Sequence, residues 1–143
     1  MQTHQTLSNK EVKAFFISDL HLGSPGEPKF VLFKQWLHDL KNQSPTHLFL
    51  VGDIFDLWVE NHNYFIEKNK EVIDELISLK KQGTEIHYFE GNHDLYLKKY
   101  WKEDLGFNVH EGPQYFELGE WTIRVEHGDQ VDPDDKGYLF LRW

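Results

Sequence analysis

Four short clusters in this 143-residue chain gather residue types that bind divalent cations: Asp19-Leu20-His21, Gly52-Asp53-Ile54-Phe55-Asp56, Gly91-Asn92-His93-Asp94 and His127-Gly128-Asp129. Carboxylate, imidazole and amide oxygen make a mixed nitrogen and oxygen donor set suited to Mn2+, Fe2+ or Zn2+. No soft sulfur ligand competes, because the chain has no cysteine. Asp19 and His21 lie two apart, so an extended backbone would point both side chains the same way. A carboxylate on a middle strand can bridge two cations, and Asp53 is placed for that. Asn92 offers a neutral oxygen, which limits the total charge of a site. Singly, each cluster has an ordinary reading: Asp-x-His as a turn with a helix cap, Gly-Asp as turn chemistry. Their shared position, each directly after a segment that reads as a strand, is what points to a metal centre.

The elements that must position these clusters follow from the apolar pattern. Ala14 to Ser18, His47 to Val51 and Ile86 to Phe89 are short apolar runs ended by polar residues or glycine, the mark of buried strands. Between them, Phe30, Phe33, Trp36, Leu37 and Leu40 recur at helical spacing to about Lys41. Phe65, Val72, Ile73, Leu76 and Ile77 do the same, closed near Gln82-Gly83 by a glycine cap. Strand, helix, strand, helix, strand with continuous apolar strands predicts an α/β fold whose parallel sheet is covered on both faces. Ligands of such sheets bind beyond the carboxyl ends of the strands, where three of the clusters fall. Tyr115 to Leu118 and Trp121 to Val125 then read as a hairpin about a type II′ turn at Gly119, leading into a second sheet and delivering the fourth cluster.

Residues 1–12 read as a polar, disordered tail and 13–143 as one domain. The segment from Gly137 to Trp143 is strongly apolar and stops without a cap, so the chain is expected to be cut inside an element, with the rest of the domain and its lid beyond. The histidines outside the clusters (His38, His47, His62, His87 and His110) have no ligand partners nearby in sequence and read as ordinary face or loop residues, and the Lys68-Asn69-Lys70 stretch reads as solvated surface.

Composition narrows the function classes. A hydrophobic fraction of 39% with 15% aromatic residues supports one packed core and argues against disorder. The net charge of −9, with no basic stripe, disfavours nucleic-acid binding. Disulfides, thiolate metal sites and a cysteine nucleophile are excluded. The N-terminus lacks the pattern of a signal peptide, and no apolar run approaches the roughly 20 residues of a spanning helix, so a cytoplasmic chain is expected.

The four blocks resemble the calcineurin-like metallophosphoesterases from about Ala14 onward, and within them the UDP-2,3-diacylglucosamine pyrophosphohydrolases of lipid A synthesis. The closer match rests on Ser18 to Gly23, Gly52 to Trp58, His127-Gly128-Asp129 and Asp134-Asp135-Lys136-Gly137-Tyr138. The resemblance implies a four-layer fold and two divalent cations, Mn2+ first, with Fe2+ and Zn2+ as alternatives. It implies that Asp19 and His21 ligate the first cation, that Asp53 bridges, and that Asn92 and His127 ligate the second. His93 would stand beside the scissile phosphate with Asp94 orienting its ring, and Asp135 and Tyr138 would begin the substrate-facing part of a helical lid. The implied partner is a phosphate-containing small molecule or lipid-linked nucleotide, with peripheral contact to the inner membrane; the oligomeric state stays open. Two features depart from the pattern. The chain contains no Gly-His-x-His block, and it carries His93 where many of the lipid A enzymes carry arginine. A general phosphoesterase acting on nucleotides or phosphomonoesters, and a non-catalytic interaction module, are the competing readings.

Overall fold

A computed structural model describes residues 11–128; Asp129, Asp135, Tyr138, most of the polar tail and the apolar 137–143 segment lie outside it. Strands β1 (Ala14–Ile17), β2 (His47–Val51), β4 (Glu85–Phe89) and β6 (Asn108–His110) form a sheet in the order β1-β2-β4-β6. Every pairing in it is parallel, with His47 opposite Glu85 and Val51 opposite Phe89. Successive side chains alternate faces. Leu48, Leu50, Ile86 and Tyr88 therefore join one buried cluster, while Phe49, Val51 and Phe89 join another. This is why the strands read as unbroken apolar runs.

The first cluster is roofed by α1 (Pro28–Leu40), through Phe30, Phe33, Leu37 and Leu40, and by α3 (Lys70–Lys81), through Val72, Ile73, Leu76 and Leu79. Both helices lie on the same face. Strand order rises steadily along the sheet, so each right-handed crossover returns on the same side. The opposite face is covered by the antiparallel hairpin of β7 (Gln114–Leu118) and β8 (Trp121–Val125), a separate two-stranded sheet that brings Leu118, Phe116 and Val125 against Phe49 and Phe89. Gly119 has φ 64 and Glu120 is not left-handed, the signature of the expected type II′ turn.

Four local features escape the sequence pattern. The second helix is two: α2 (Asn63–Lys68) and α3 meet at Asn69, whose φ of −103 breaks the helix. Asn69 is 1% exposed rather than solvated, because its side chain Nδ2 donates to the Phe65 carbonyl at 2.9 Å. Two-residue strands β3 (Trp58–Val59) and β5 (Asp94–Leu95) pair in parallel. A segment at Lys98–Asp104 winds as a π-helix, with the Leu105 N–H reaching the Tyr100 carbonyl at 3.0 Å. It seats Trp101, fully buried, against Phe55, Trp58 and Tyr88. Edge strand β6 is only three residues long and mostly half-buried, too short to show alternation.

Under the hairpin, His87 and His110 pack beside Phe49, Phe89 and Phe116, with His87 Nδ1 3.0 Å from His110 Nε2. Burial holds His87 below the ordinary imidazole value and pushes His110 down to about 4 from 6.5. Between those two values the unfolded chain binds more protons than the folded one, so stability rises with pH across the window and is lost as pH falls through it. Urea denaturation in EDTA at a series of pH values should show that slope, and His110→Phe should flatten it. A slope identical in the variant would mean that this ring titrates as it does in water.

Candidate metal centre

Beyond the carboxyl ends of β1 and β2 the two chains continue side by side. Asp19 N–H donates to the Gly52 carbonyl (3.1 Å), His21 N–H to Asp53 (3.0 Å) and Leu22 N–H to Ile54 (2.9 Å), and Asp56 N–H returns to Leu22 (2.9 Å). The backbone that makes these bonds is not extended, as the two-residue spacing had implied. Asp19, His21 and Asp53 have φ of 53, 47 and 53, in the left-handed region that costs non-glycine residues energy. The loop bonds hold them there, and the turns aim all three side chains inward.

Asp94 locks the third loop to the second. Fully buried, its carboxylate accepts from the N–H groups of Asp53 (2.9 Å), Ile54 (2.9 Å) and Gly91 (2.8 Å) and from the Tyr88 hydroxyl (2.6 Å). Burial pushes its carboxyl above the ordinary carboxylate value, against the pull of those four donors. Asp94 therefore does not orient the His93 ring; it has no lone pairs to spare for that, and it positions Asp53 instead. Glycine is required beside it. A Cβ on Gly91 would lie 2.5 Å from the Asp53 nitrogen and 2.8 Å from Asp94 Oδ1, and one on Gly52 would lie 2.9 Å from His127 Cβ. Asp94→Asn turns an amide donor toward backbone donors and should cost about 2 kcal/mol of stability. Urea denaturation measures it; a loss under about 0.5 kcal/mol would show that the loops hold without the carboxylate.

The histidines are oriented by backbone carbonyls. His93 Nδ1 lies 2.7 Å from the Asp56 carbonyl and His127 Nδ1 2.8 Å from the Val51 carbonyl. Since a carbonyl only accepts, each Nδ1 carries a proton, and each ring turns its Nε2 toward the site. This is the outer-shell bond that metal-ligating imidazoles commonly make. No residue type in the sequence marks these two carbonyls, nor the Tyr88 hydroxyl.

Asp53 is the centre of the arrangement. It is 3% exposed, and its Oδ1 accepts from the His93 backbone N–H at 2.9 Å. Its Oδ2 lies 3.4 Å from His127 Nε2 and 3.7 Å from His21 Nε2. Burial alone would raise its carboxyl, but the His127 ring and the His93 N–H outweigh that and hold it below the ordinary value. The ligating atoms fall into two groups, each within 4.8 Å: His21, Asp53 and His93 in one, Asp19, Asp53 and His127 in the other. Asp53 belongs to both. Asp19 falls in the group with His127, and His21 in the group with His93. Asn92 joins the second group, with Oδ1 3.4 Å from His127 Nε2. The amide end turned to Asp53 is 2.8 Å from Oδ2. An NH2 there donates to the carboxylate; an oxygen there calls for a cation between them. Oxygen and imidazole donors, fixed tautomers and a shared carboxylate fit two divalent ions.

Of the residues named from sequence, the structure therefore brings together Asp19, His21, Asp53, Asn92, His93 and His127, places Asp94 beneath them, and does not extend to Asp135 or Tyr138.

Comparison with known proteins agrees with this geometry. The calcineurin-like phosphoesterase model matches residues 12–142. The chain is 33% identical over 123 residues to the UDP-2,3-diacylglucosamine hydrolase of Porphyromonas gingivalis, covering 82% of this chain and 46% of that protein. It is 31% identical over 127 residues to the protein of the same name from Chromohalobacter salexigens, covering 88% and 50%. A Haemophilus influenzae protein of that name is 28% identical over 131 residues, covering 90% and 54%. The chain spans about half the length of the curated relatives it matches. With a family match that runs through all four ligand-bearing clusters, the chain belongs to the calcineurin-like phosphoesterase family.

Proposed function

We propose that this chain carries the metal-binding half of a phosphoester or pyrophosphate hydrolase that works with two divalent cations, Mn2+ by preference. The observation that carries the reading is Asp53 shared between two ligand groups. In this reading Asp53 bridges, His21 serves one ion, and Asp19, Asn92 and His127 serve the other. When bound, such a pair lowers the pKa of water and offsets charge on the phosphoryl oxygens, which supplies a nucleophile at neutral pH.

The chain's own residues do the rest. His93 stands against His21, ring centroids 4.6 Å apart, on the open side of the site. Protonated at both nitrogens, it keeps Nδ1–H on the Asp56 carbonyl and offers Nε2–H to the leaving oxygen. Asp94 and the His93 N–H keep Asp53 from moving as charge develops.

The proposed substrate is UDP-2,3-diacylglucosamine, supported by the names of the relatives. Water adds to the phosphorus next to uridine, the P–O–P bond breaks, and UMP leaves with 2,3-diacylglucosamine 1-phosphate. Asp135 and Tyr138 are proposed to contact that substrate. No helix among the described residues is long and apolar enough to cross a membrane. Peripheral contact with a lipid surface is part of the proposal. The test compares UMP release from UDP-2,3-diacylglucosamine with hydrolysis of p-nitrophenyl phosphate, both with Mn2+. Faster turnover of the lipid nucleotide supports the assignment. Turnover of the simple ester alone assigns a general phosphoesterase, and turnover of neither defeats the catalytic reading.

A further inference from the structure

On the hairpin-facing side of the sheet, at the end of the strands opposite the Asp53 loop, three potential ligands meet. Parallel register sets His47 of β2 opposite Glu85 of β4, and His87 follows Glu85 by two residues on the same face. Glu85 Oε2 lies 3.5 Å from His47 Nε2 and 3.5 Å from His87 Nε2, and all three atoms lie within 4.8 Å of one another. That spacing is close to the separation of ligand atoms around an ion bound at about 2.0–2.1 Å.

The hydrogen bond behind His47 leaves its Nε2 as a lone-pair donor, and the one behind His87 lets its Nε2 serve in the same way when His87 Nδ1–H is the donor. Thr46 Oγ1 donates its proton to the Lys13 carbonyl at 3.0 Å, so its contact with His47 Nδ1 at 2.9 Å must be one it accepts. His47 therefore carries its proton on Nδ1 and a lone pair on Nε2. His87 Nδ1 is engaged with His110 Nε2 at 3.0 Å, while the His87 side chain is only 8% exposed and its Nε2 is a buried polar atom with no hydrogen-bond partner. Such orphaned atoms are rare in folded proteins and call for an explanation. Solvent reaches the point of convergence: a depression of about 710 Å³ is lined by Thr46, His47 and Glu85, and one of about 370 Å³ by Glu85, His87 and Asn108.

We propose that His47, Glu85 and His87 form a second, separate cation site that takes Zn2+, with water completing its coordination. Two imidazoles and a carboxylate suit zinc, and a His87 Nδ1–H donated to His110 supplies the outer-shell bond that orients a ligating ring. The ion would staple β2 to β4 at the start of the strands, whereas Asp53 follows the carboxyl end of β2. This site does not depend on the function proposed above.

The test is a Zn2+ titration of the chelator-stripped protein, with bound zinc counted by mass spectrometry and the imidazoles followed by long-range proton–nitrogen NMR. Glu85→Gln and His47→Gln are the variants, since the two side chains are 63% and 21% exposed and glutamine keeps a polar side chain at each position. The unsubstituted protein should bind one Zn2+ more per chain than either variant, with affinity for that ion falling roughly 100-fold or more in Glu85→Gln. The Nε2 resonances of His47 and His87 should move as it fills. Zinc counts that match between the protein and both variants overturn the site, whatever the Asp53 centre binds.

Discussion

Asp53→Ala should strip the protein of both divalent ions and lower metal-dependent hydrolysis by about 10³-fold or more. The expectation follows from position rather than residue type. Asp53 is the one side chain common to both ligand groups, and its Oδ2 lies between the Nε2 atoms of His21 and His127, at 3.7 and 3.4 Å. Removing any other ligand leaves one group complete, whereas removing this one leaves neither. Metal analysis after gel filtration, beside initial rates at saturating Mn2+, reads both consequences. A variant that keeps two tightly held ions would place the bridge elsewhere. The fold should survive, because Asp94 still binds the Ile54 and Gly91 backbone.

His93→Ala should behave differently: turnover about 10²–10⁴-fold slower, with metal content unchanged. The ring hangs from the Asp56 carbonyl at the edge of the site, and its backbone N–H, which holds Asp53 at 2.9 Å, persists in alanine. The ligand cage is therefore retained while the proton donor is lost. The loss should be largest for substrates with poor leaving groups and small for p-nitrophenyl esters, whose leaving oxygen needs no proton. If an ion departs with the ring, His93 is a ligand beside His21, as its place in that group permits, and the proton donor must be sought elsewhere. Together the two variants separate holding the metal from using it.

The stability effects set beside these are smaller and act through different groups. Asp94→Asn weakens the junction between two loops, and acid protonates the rings beneath the hairpin. Neither touches the ions of the Asp53 centre directly.

Residue identity and local pattern determined the strands and most of the ligands. β2 occupies the apolar run His47 to Val51, and α1 carries Phe30, Phe33, Leu37 and Leu40 inward as the helical spacing demands. Gly83 closes α3, with Thr84 N–H bonded to the Leu79 carbonyl at 3.2 Å, as the glycine cap predicted. These features are local, and periodicity reports local structure. The metal-binding residue types were legible for a related reason: each follows directly on a strand end, and strand ends of a parallel sheet share one rim.

Only the tertiary structure decided which ligands share an ion, what holds each ring, and what Asp94 does. Those depend on distances between loops far apart in sequence, on backbone carbonyls that leave no trace in residue type, and on left-handed turns at Asp19, His21 and Asp53 that spacing alone reads as extended. His47, Glu85 and His87 show the same limit. Each is unremarkable along the chain, and the register of β2 against β4, set by burial on both faces of the sheet, is what turns three ordinary residues toward one point.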